Sequence, residues 1–479
     1  MGLGQGAGTS ARQIVIAAGV ALLLLALLLA LLPLKLALAL VGGLLFVAVT
    51  VIEPAWGLYG AVLSVPVQDL VVLPGGLTVT QVVVVLAAGA WALRVLAFPD
   101  KTLGLRWQWI WLVWLGWQLL TVVFTPYSLA QGLQQWARWV AAWLAFVLTL
   151  GTITTPKRAW GLVASLLIAP TVAALDGMWQ FVTASGPPSF LIIGGRFARA
   201  AATFGKPNPF GGYMNMIWPL AAMLTLYFLR HARRSGQWQP RMLLLGTLCA
   251  GTTLALLGGL FASYSRGGWI GAIIGVFGMA LLTGRRSAVL ALSALLLALV
   301  IGLAGSFSIL PAVVTDRLSS VTDYIRIFDA GEETVTSENF AIVERMAQMQ
   351  AGWRMWQSSP LLGIGPGNYN SAYPDFYVGH WSESQGHAHN YYINTLAESG
   401  VPGLIVYLGL IGTMFAQGLR LRRMKRGSVW SAIALGGCGI MLAVAGHNLF
   451  ENLHVLNLGI PLSAVWGLMV VGLRETEWR

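Results

Sequence analysis

Apolar residues dominate the chain in runs of about twenty, the length that carries an α-helix across a hydrocarbon core, with short polar or basic turns between them. Read this way, the sequence predicts helices over 13–32, 35–52, 55–73, 78–97, 106–124, 133–153, 158–181, 208–229, 243–263, 268–283, 286–306, 399–419, 428–447 and 453–474. The run over 55–73 is the weakest, because Pro66 and Asp69 interrupt it. The first run, Ile14 to Leu32 after Arg12, is longer than a signal-peptide core and another follows at once, so it reads as a retained helix. The expectation is an all-α polytopic membrane protein of about 12 to 14 transmembrane helices. It divides into N-terminal transmembrane helices over 1–182, helices with outer-face arginine loops over 183–306, a loop over 307–398, and C-terminal transmembrane helices over 399–479.

Basic residues assign sidedness. Lys101 with Arg106, Lys157 with Arg158, Arg230 with Arg233, Arg234 and Arg241, Arg285 with Arg286, and Arg420 through Arg426 fall in alternate connections, which are therefore cytoplasmic, as are both termini. Lys35 and Arg138 are isolated exceptions on the other side. Three features then share the outer face: segment 182–207, the turn from Tyr264 to Gly267, and the connection 307–398, which holds ten of the chain's seventeen acids beside four arginines. Inside that connection Phe340, Val343, Met346, Ala347, Trp353 and Trp356 recur at helical spacing, which predicts an amphipathic helix over 338–357 with Ser337 as N-cap, lying on the membrane surface. The following PLLGIGPGNY, Pro360 to Tyr369, is a glycine-rich turn whose spacing does not meet the dinucleotide fingerprint.

Composition agrees with the pattern. The 479 residues are 57% hydrophobic and only 10% charged, so a bilayer is the solvent for most of them. The net charge of +12 sits in short clusters between apolar runs, as orientation signals do, and does not indicate nucleic acid. Cys249 and Cys438 both lie in apolar runs, which leaves neither a disulfide framework nor a thiolate metal site.

Polar groups near membrane depth are costly, and four clusters stand out as candidates for chemistry. The first is Arg196 and Arg199 ahead of Thr203 to Pro209, for which an interfacial anchor before a proline-opened helix is an equally good reading. The second is Tyr264-Ser265-Arg266-Gly267-Gly268-Trp269, an arginine in a tight outer turn against the positive-inside trend. The third is Gly386-His387-Ala388-His389-Asn390, followed by Glu398-Ser399-Gly400-Val401-Pro402-Gly403; no third ligand adjoins the two histidines, so a general base is preferred to a metal site. The fourth is His447, Asn448, Glu451 and His454, where the i, i+4 spacing suggests that His447 and Glu451 simply pair. Two outer-face arginines with a histidine suit an anionic, phosphorylated lipid beside a proton-transfer group. The chain has no DxD pattern to hold a divalent metal on a diphosphate, so arginine has that task and neither metal nor cofactor is expected.

In order, Arg199 with ATFGKPNPF, YSRGGW, Arg345 with a tryptophan and PLLGIGPGNY, and HAHN with ESGVPG resemble the O-antigen ligase and polymerase family over roughly residues 190–470. The resemblance implies a GT-C-like glycosyltransferase. Its donor is an undecaprenyl-diphosphate-linked glycan, used at the outer face of the bacterial cytoplasmic membrane. The acceptor is a lipid or a glycan: ligases of this kind serve lipid A-core and polymerases another lipid-linked unit. The family's diphosphate-binding arginines fall on Arg199 and Arg266 and its histidine base on His389, with Arg196, Arg345, His387, Asn390, Glu398 and His447 as further candidates. Transfer is expected to be inverting and metal-independent. The family's Asn-Pro-Asn stands here as Lys206-Pro207-Asn208-Pro209, a departure on the donor side. The rival from another class is a solute or bicarbonate transporter, which places its polar groups at the bilayer midplane on broken helices; Asp69 and Asp176, in or near apolar runs, speak for it.

Overall fold

The computed structural model describes residues 31–70, 77–97, 108–234, 237–306, 328–336 and 339–474, with Ile16, Gly19 and Val20. Most of the expected helix over 13–32, the Lys101–Arg106 connection, Ser337 with Glu338, and 307–327 with its acids lie outside the described residues.

Sixteen α-helices are described: α1 Leu34–Ile52, α2 Ala55–Ser64, α3 Val79–Ala97, α4 Trp109–Val123, α5 Leu129–Thr152, α6 Pro156–Thr183, α7 Pro207–Asn215, α8 Trp218–His231, α9 Pro240–Ala262, α10 Arg266–Thr283, α11 Arg285–Ser306, α12 Phe340–Ser358, α13 Tyr369–Phe376, α14 Tyr391–Met424, α15 Val429–His447 and α16 Gly459–Arg474. Seven spans among them, counting α7 with α8 as one, are long and apolar enough to cross a membrane. The protein is therefore a polytopic membrane protein by length and composition of its helices. Short antiparallel hairpins join α6 to α7 (β1 Leu191–Ile192 with β2 Phe197–Ala198) and α8 to α9 (β3 Arg233–Arg234 with β4 Gln237–Trp238).

Helix α16 is apolar all round and buried from Ile460 to Leu473, which places it in the interior, against α5, α14 and α15. Small residues let α10 and α15 pack closely. A Cβ at Gly271 of α10 would stand 2.5 Å from the carbonyl oxygen of Ala443 on α15, so the two backbones approach as only glycine permits.

Several expected boundaries shift for physical reasons. The run over 55–73 is helical only to Ser64 and tightens into a 3₁₀ turn over Val65–Val67 at Pro66, whose ring blocks an α continuation. The expected helix over 208–229 breaks at Met216–Ile217, before Pro219. The last helix begins at Gly459 instead of 453, because 448–458 is an irregular segment buried under other elements. Helix α12 starts at Phe340 with Asn339 at its N-cap position. One apolar face packs on protein: Val343, Met346 and Ala347 with Val378 and Trp381, and Ala351 and Met355 with Tyr369, Tyr373 and Ala388. Trp353 and Trp356 face away from that core and pack ring to ring, 4.5 Å apart.

Candidate functional site

The tight turn after α9 is built to fix one arginine. Ser265 caps α10, its hydroxyl accepting from the Gly268 amide at 3.3 Å, and Arg266 is the first residue of the helix. Beneath the turn lies the fully buried His447, with Nε2 3.4 Å from the Ser265 hydroxyl and Nδ1 3.4 Å from Asn215 Nδ2. Asn215 also donates to the Gly268 carbonyl at 2.9 Å. His447 therefore braces the arginine turn. It makes no hydrogen bond or ion pair with Glu451, contrary to the pairing expected from their spacing; α15 ends at His447, so the helical register between them is lost.

Arg199 is pinned to the same turn. The β1–β2 hairpin returns the chain so that its amide donates to the Phe190 carbonyl at 2.8 Å, and the next residue, Ala200, donates to the Ala262 carbonyl at 2.9 Å. Its Nε then donates to the Ser263 carbonyl at 3.2 Å and an Nη to Asn208 Oδ1 at 3.1 Å. Burial, with Arg345 and Arg266 close by, pushes the Arg199 guanidinium down to about 10, against the pull of Glu451. Arg345, on α12, is lowered by burial and by Arg266, again against Glu451. Arg199, Arg266 and Arg345 thus bear on one another's charge, and Glu451 favours the charged form of Arg199 and Arg345. Arg196 stands apart, exposed, with its guanidinium 5.5 Å from the Phe197 ring.

The histidines meet that carboxylate from the other side. Asn390 caps α14, accepting from the Tyr392 and Ile393 amides, while Tyr391 N–H donates to the Asn448 carbonyl at 2.8 Å, which ties the loop to segment 448–458. His389 sits in the left-handed region at φ 50°, sparsely populated for a residue with a Cβ. Its amide donates to His387 Nδ1 at 3.0 Å, so the ring proton of neutral His387 is on Nε2, which donates to Glu451 Oε1 at 2.9 Å. His389 Nδ1 is 3.7 Å from the same oxygen. The other oxygen of Glu451 accepts a short hydrogen bond from Asn208 Nδ2. Burial pushes the Glu451 carboxyl upward, but His387 and His389 outweigh it and hold the group well below the usual carboxylate range. His389 is pushed down to about 4, by burial first and His387 second, so its imidazole is neutral at physiological pH.

Arg199, Asn208, Glu451 and His387 therefore form one hydrogen-bonded chain of side chains, with His389 Nδ1 buried beside it and without a hydrogen-bond partner among the described residues; neither Asn208 nor Glu451 is among the residues that the family resemblance singles out. The signal was present in Glu451: a carboxylate beside an apolar run needs partners. It also supplies the third donor thought to be missing, since His387, His389 and Glu451 offer ligand atoms within 4.8 Å of one another. A divalent cation there would replace the proton that His387 gives Glu451, with the charges of Arg199 and Arg345 nearby.

Glu398 belongs to a different unit. Helix α14 kinks at Gly400 (φ 66°), where a Cβ would meet the Leu361 carbonyl oxygen at 2.1 Å, and the PLLGIGPGNY turn wraps the kink. Val401 N–H donates to Pro360 O, Ile364 N–H to Ala397 O, and Gly365 N–H to Glu398 O, all at 2.9 to 3.0 Å, while the Glu398 carboxylate accepts from the Tyr369 amide at 3.3 Å. The glycines seat a helix kink, which accounts for a glycine-rich turn without nucleotide spacing.

Residues 251–408 match the family model described as O-antigen ligase. That stretch contains Arg266, Arg345, His387 and His389; Arg199, Asn208 and Glu451 lie outside it and reach the site through the fold. No curated protein matches the chain.

Proposed function

From the premise that the chain carries an O-antigen ligase domain at residues 251–408, consistent with membership of the O-antigen ligase and polymerase family, we propose that this protein transfers a glycan from an undecaprenyl-diphosphate-linked donor to an acceptor hydroxyl. The observation that supports the reading is the grouping of Arg199, Arg266 and Arg345, each of which bears on another's charge, beside the Glu451 carboxylate that bonds His387 and faces His389. Guanidinium groups match phosphate oxygens and stabilise negative charge as it develops on a leaving diphosphate. In this reading Arg199 and Arg266 hold the diphosphate, with Arg345 behind them. His389, its Nδ1 turned to Glu451, takes the acceptor's proton on Nε2. The acceptor oxygen attacks the anomeric carbon as the bond to the diphosphate oxygen breaks, inverting the configuration. The arginines receive the charge, and Glu451 stabilises the imidazolium. The site lies at the outer face of the bacterial cytoplasmic membrane, with both termini cytoplasmic. The lipid or glycan acceptor decides between ligase and polymerase.

The test is transfer from purified undecaprenyl-diphosphate oligosaccharide to lipid A-core and to a second lipid-linked unit, comparing the parent protein with His389→Ala and Arg266→Ala. Both variants are expected to lose transfer, and donor binding survives only in the histidine variant. Absence of transfer to either acceptor, with solute flux in proteoliposomes indifferent to both substitutions, overturns the enzyme reading in favour of a transporter.

A further inference from the structure

Segment 448–458 carries a second set of polar groups that this chemistry does not use. Leu456 and Asn457 both adopt left-handed backbone (φ 51° and 53°), a strained pair for residues with a Cβ. They are held there by Gln68, which makes a short hydrogen bond from Nε2 to the Leu456 carbonyl. Asn457 Nδ2 donates both its hydrogens, to Gln68 Oε1 at 2.7 Å and Thr78 Oγ1 at 2.8 Å, which fixes the amide and leaves Oδ1 as an acceptor. That oxygen is buried and has no hydrogen-bond partner among the described residues.

His454 presents the complementary group. Leu453 N–H donates to Asn448 Oδ1 at 3.0 Å, so Asn448 Nδ2 donates to the Tyr407 hydroxyl at 3.3 Å. The Tyr407 hydrogen is then directed at His454 Nε2, 2.9 Å away. Burial holds this imidazole neutral, pushed down to about 3, so its single ring proton sits on Nδ1. Nδ1 too is buried with no partner among the described residues, in a side chain only 6% exposed.

Arg138, His454 and Asn457, with Trp139 and Ala142, line one cleft with a volume of about 10 Å³, space for one hydroxyl or water. Arg138 already donates to Gln135 Oε1 at 2.8 Å, and Asp69 and Glu398 are its acidic neighbours. Its charge is thus matched, and the Asn457 oxygen repels an anion, so a neutral hydroxyl suits the cleft better than a phosphate. Two donors and one acceptor are what a hydroxyl group, with two lone pairs and one hydrogen, can satisfy together.

Resting on the glycosyl-transfer reading, we propose that this cleft is a glycan subsite in which one hydroxyl of the acceptor sugar accepts from Arg138 and from His454 Nδ1–H and donates to Asn457 Oδ1. It also accounts for the one isolated arginine inside an outer-facing apolar run.

The experiment uses the full chain in nanodiscs, with Arg138→Gln, Arg138→Lys and His454→Gln. Acceptor KM is expected to rise about tenfold in the two glutamine variants, as for one lost hydrogen bond to a charged or buried donor, with partial rescue by lysine. Donor dissociation constant and kcat stay at parent values, as does the Tm of the two Arg138 variants. An acceptor KM unchanged within about twofold while Tm falls marks a structural water only and overturns the proposal. A parent protein that transfers nothing refutes glycosyl transfer itself. Direct binding of two probes then decides the cleft: deacylated lipid A-core oligosaccharide, and the oligosaccharide released from the donor by mild acid. Binding weakened by Arg138→Gln upholds it, and no binding by the parent overturns it.

Discussion

Replacing Glu451 by glutamine removes one charge from the hydrogen-bonded chain of side chains at almost constant volume. Both carboxylate oxygens accept hydrogen bonds, one from His387 Nε2–H and one from Asn208 Nδ2–H, so the amide NH₂ must confront one donor whichever way it is turned. The larger effect falls on His389. A carboxylate 3.7 Å from its Nδ1 stabilises the imidazolium formed on proton transfer. At an effective dielectric of about 20 that separation corresponds to about 4 kcal/mol, or roughly a 10³-fold loss in kcat. The His389 pKa, already about 4, falls further without the carboxylate, so the acid limb of the rate profile moves to lower pH while the plateau drops. Steady-state transfer across pH 4–8, with donor affinity measured separately and Tm as a folding control, reads all three effects. A kcat within about threefold of the parent, or a loss confined to donor affinity, refutes the assignment of Glu451 as partner of the base.

Three further perturbations follow. His454, pushed down from 6.5 to about 3 by burial, contributes stability that is full above the ordinary imidazole pKa and lost as pH falls toward its folded value; Tm in detergent should therefore drop between pH 7.5 and 5, and His454→Gln should flatten that slope. His447→Ala empties the space under the arginine turn and unpairs Ser265 and Asn215, which should cost about 2–4 kcal/mol and weaken donor binding through Arg266, seen as a lower Tm and a raised donor dissociation constant. Gly400→Ala adds a Cβ at φ 66° against the Leu361 carbonyl, for an expected loss of more than about 2 kcal/mol; folded yield near the parent's would show that the kink relaxes.

The membrane character and the helix order were legible in the sequence, because a bilayer admits few spanning structures and demands long apolar runs. Arg199, Arg266, Arg345 and the His-Ala-His-Asn element were also legible as a group, since charged residues beside apolar runs attract notice and their order carried a family resemblance. The hub was not. Glu451 read as the i, i+4 partner of His447, and only the end of α15 at His447 frees it to turn toward histidines more than sixty residues earlier in the chain. Asn208, lodged in a proline-opened helix start, has no local sign that its amide joins an arginine to that carboxylate. The helix expected over 338–357 was legible from its apolar spacing, but not that it packs on protein beside Tyr369, Tyr373 and Ala388 and carries Arg345 toward Arg266 and Glu451. Local pattern determines which segments form helices and which residues need partners. Which partners they find is settled by long-range packing: a hairpin, a kink and an irregular buried segment, each held by hydrogen bonds between residues far apart in the chain.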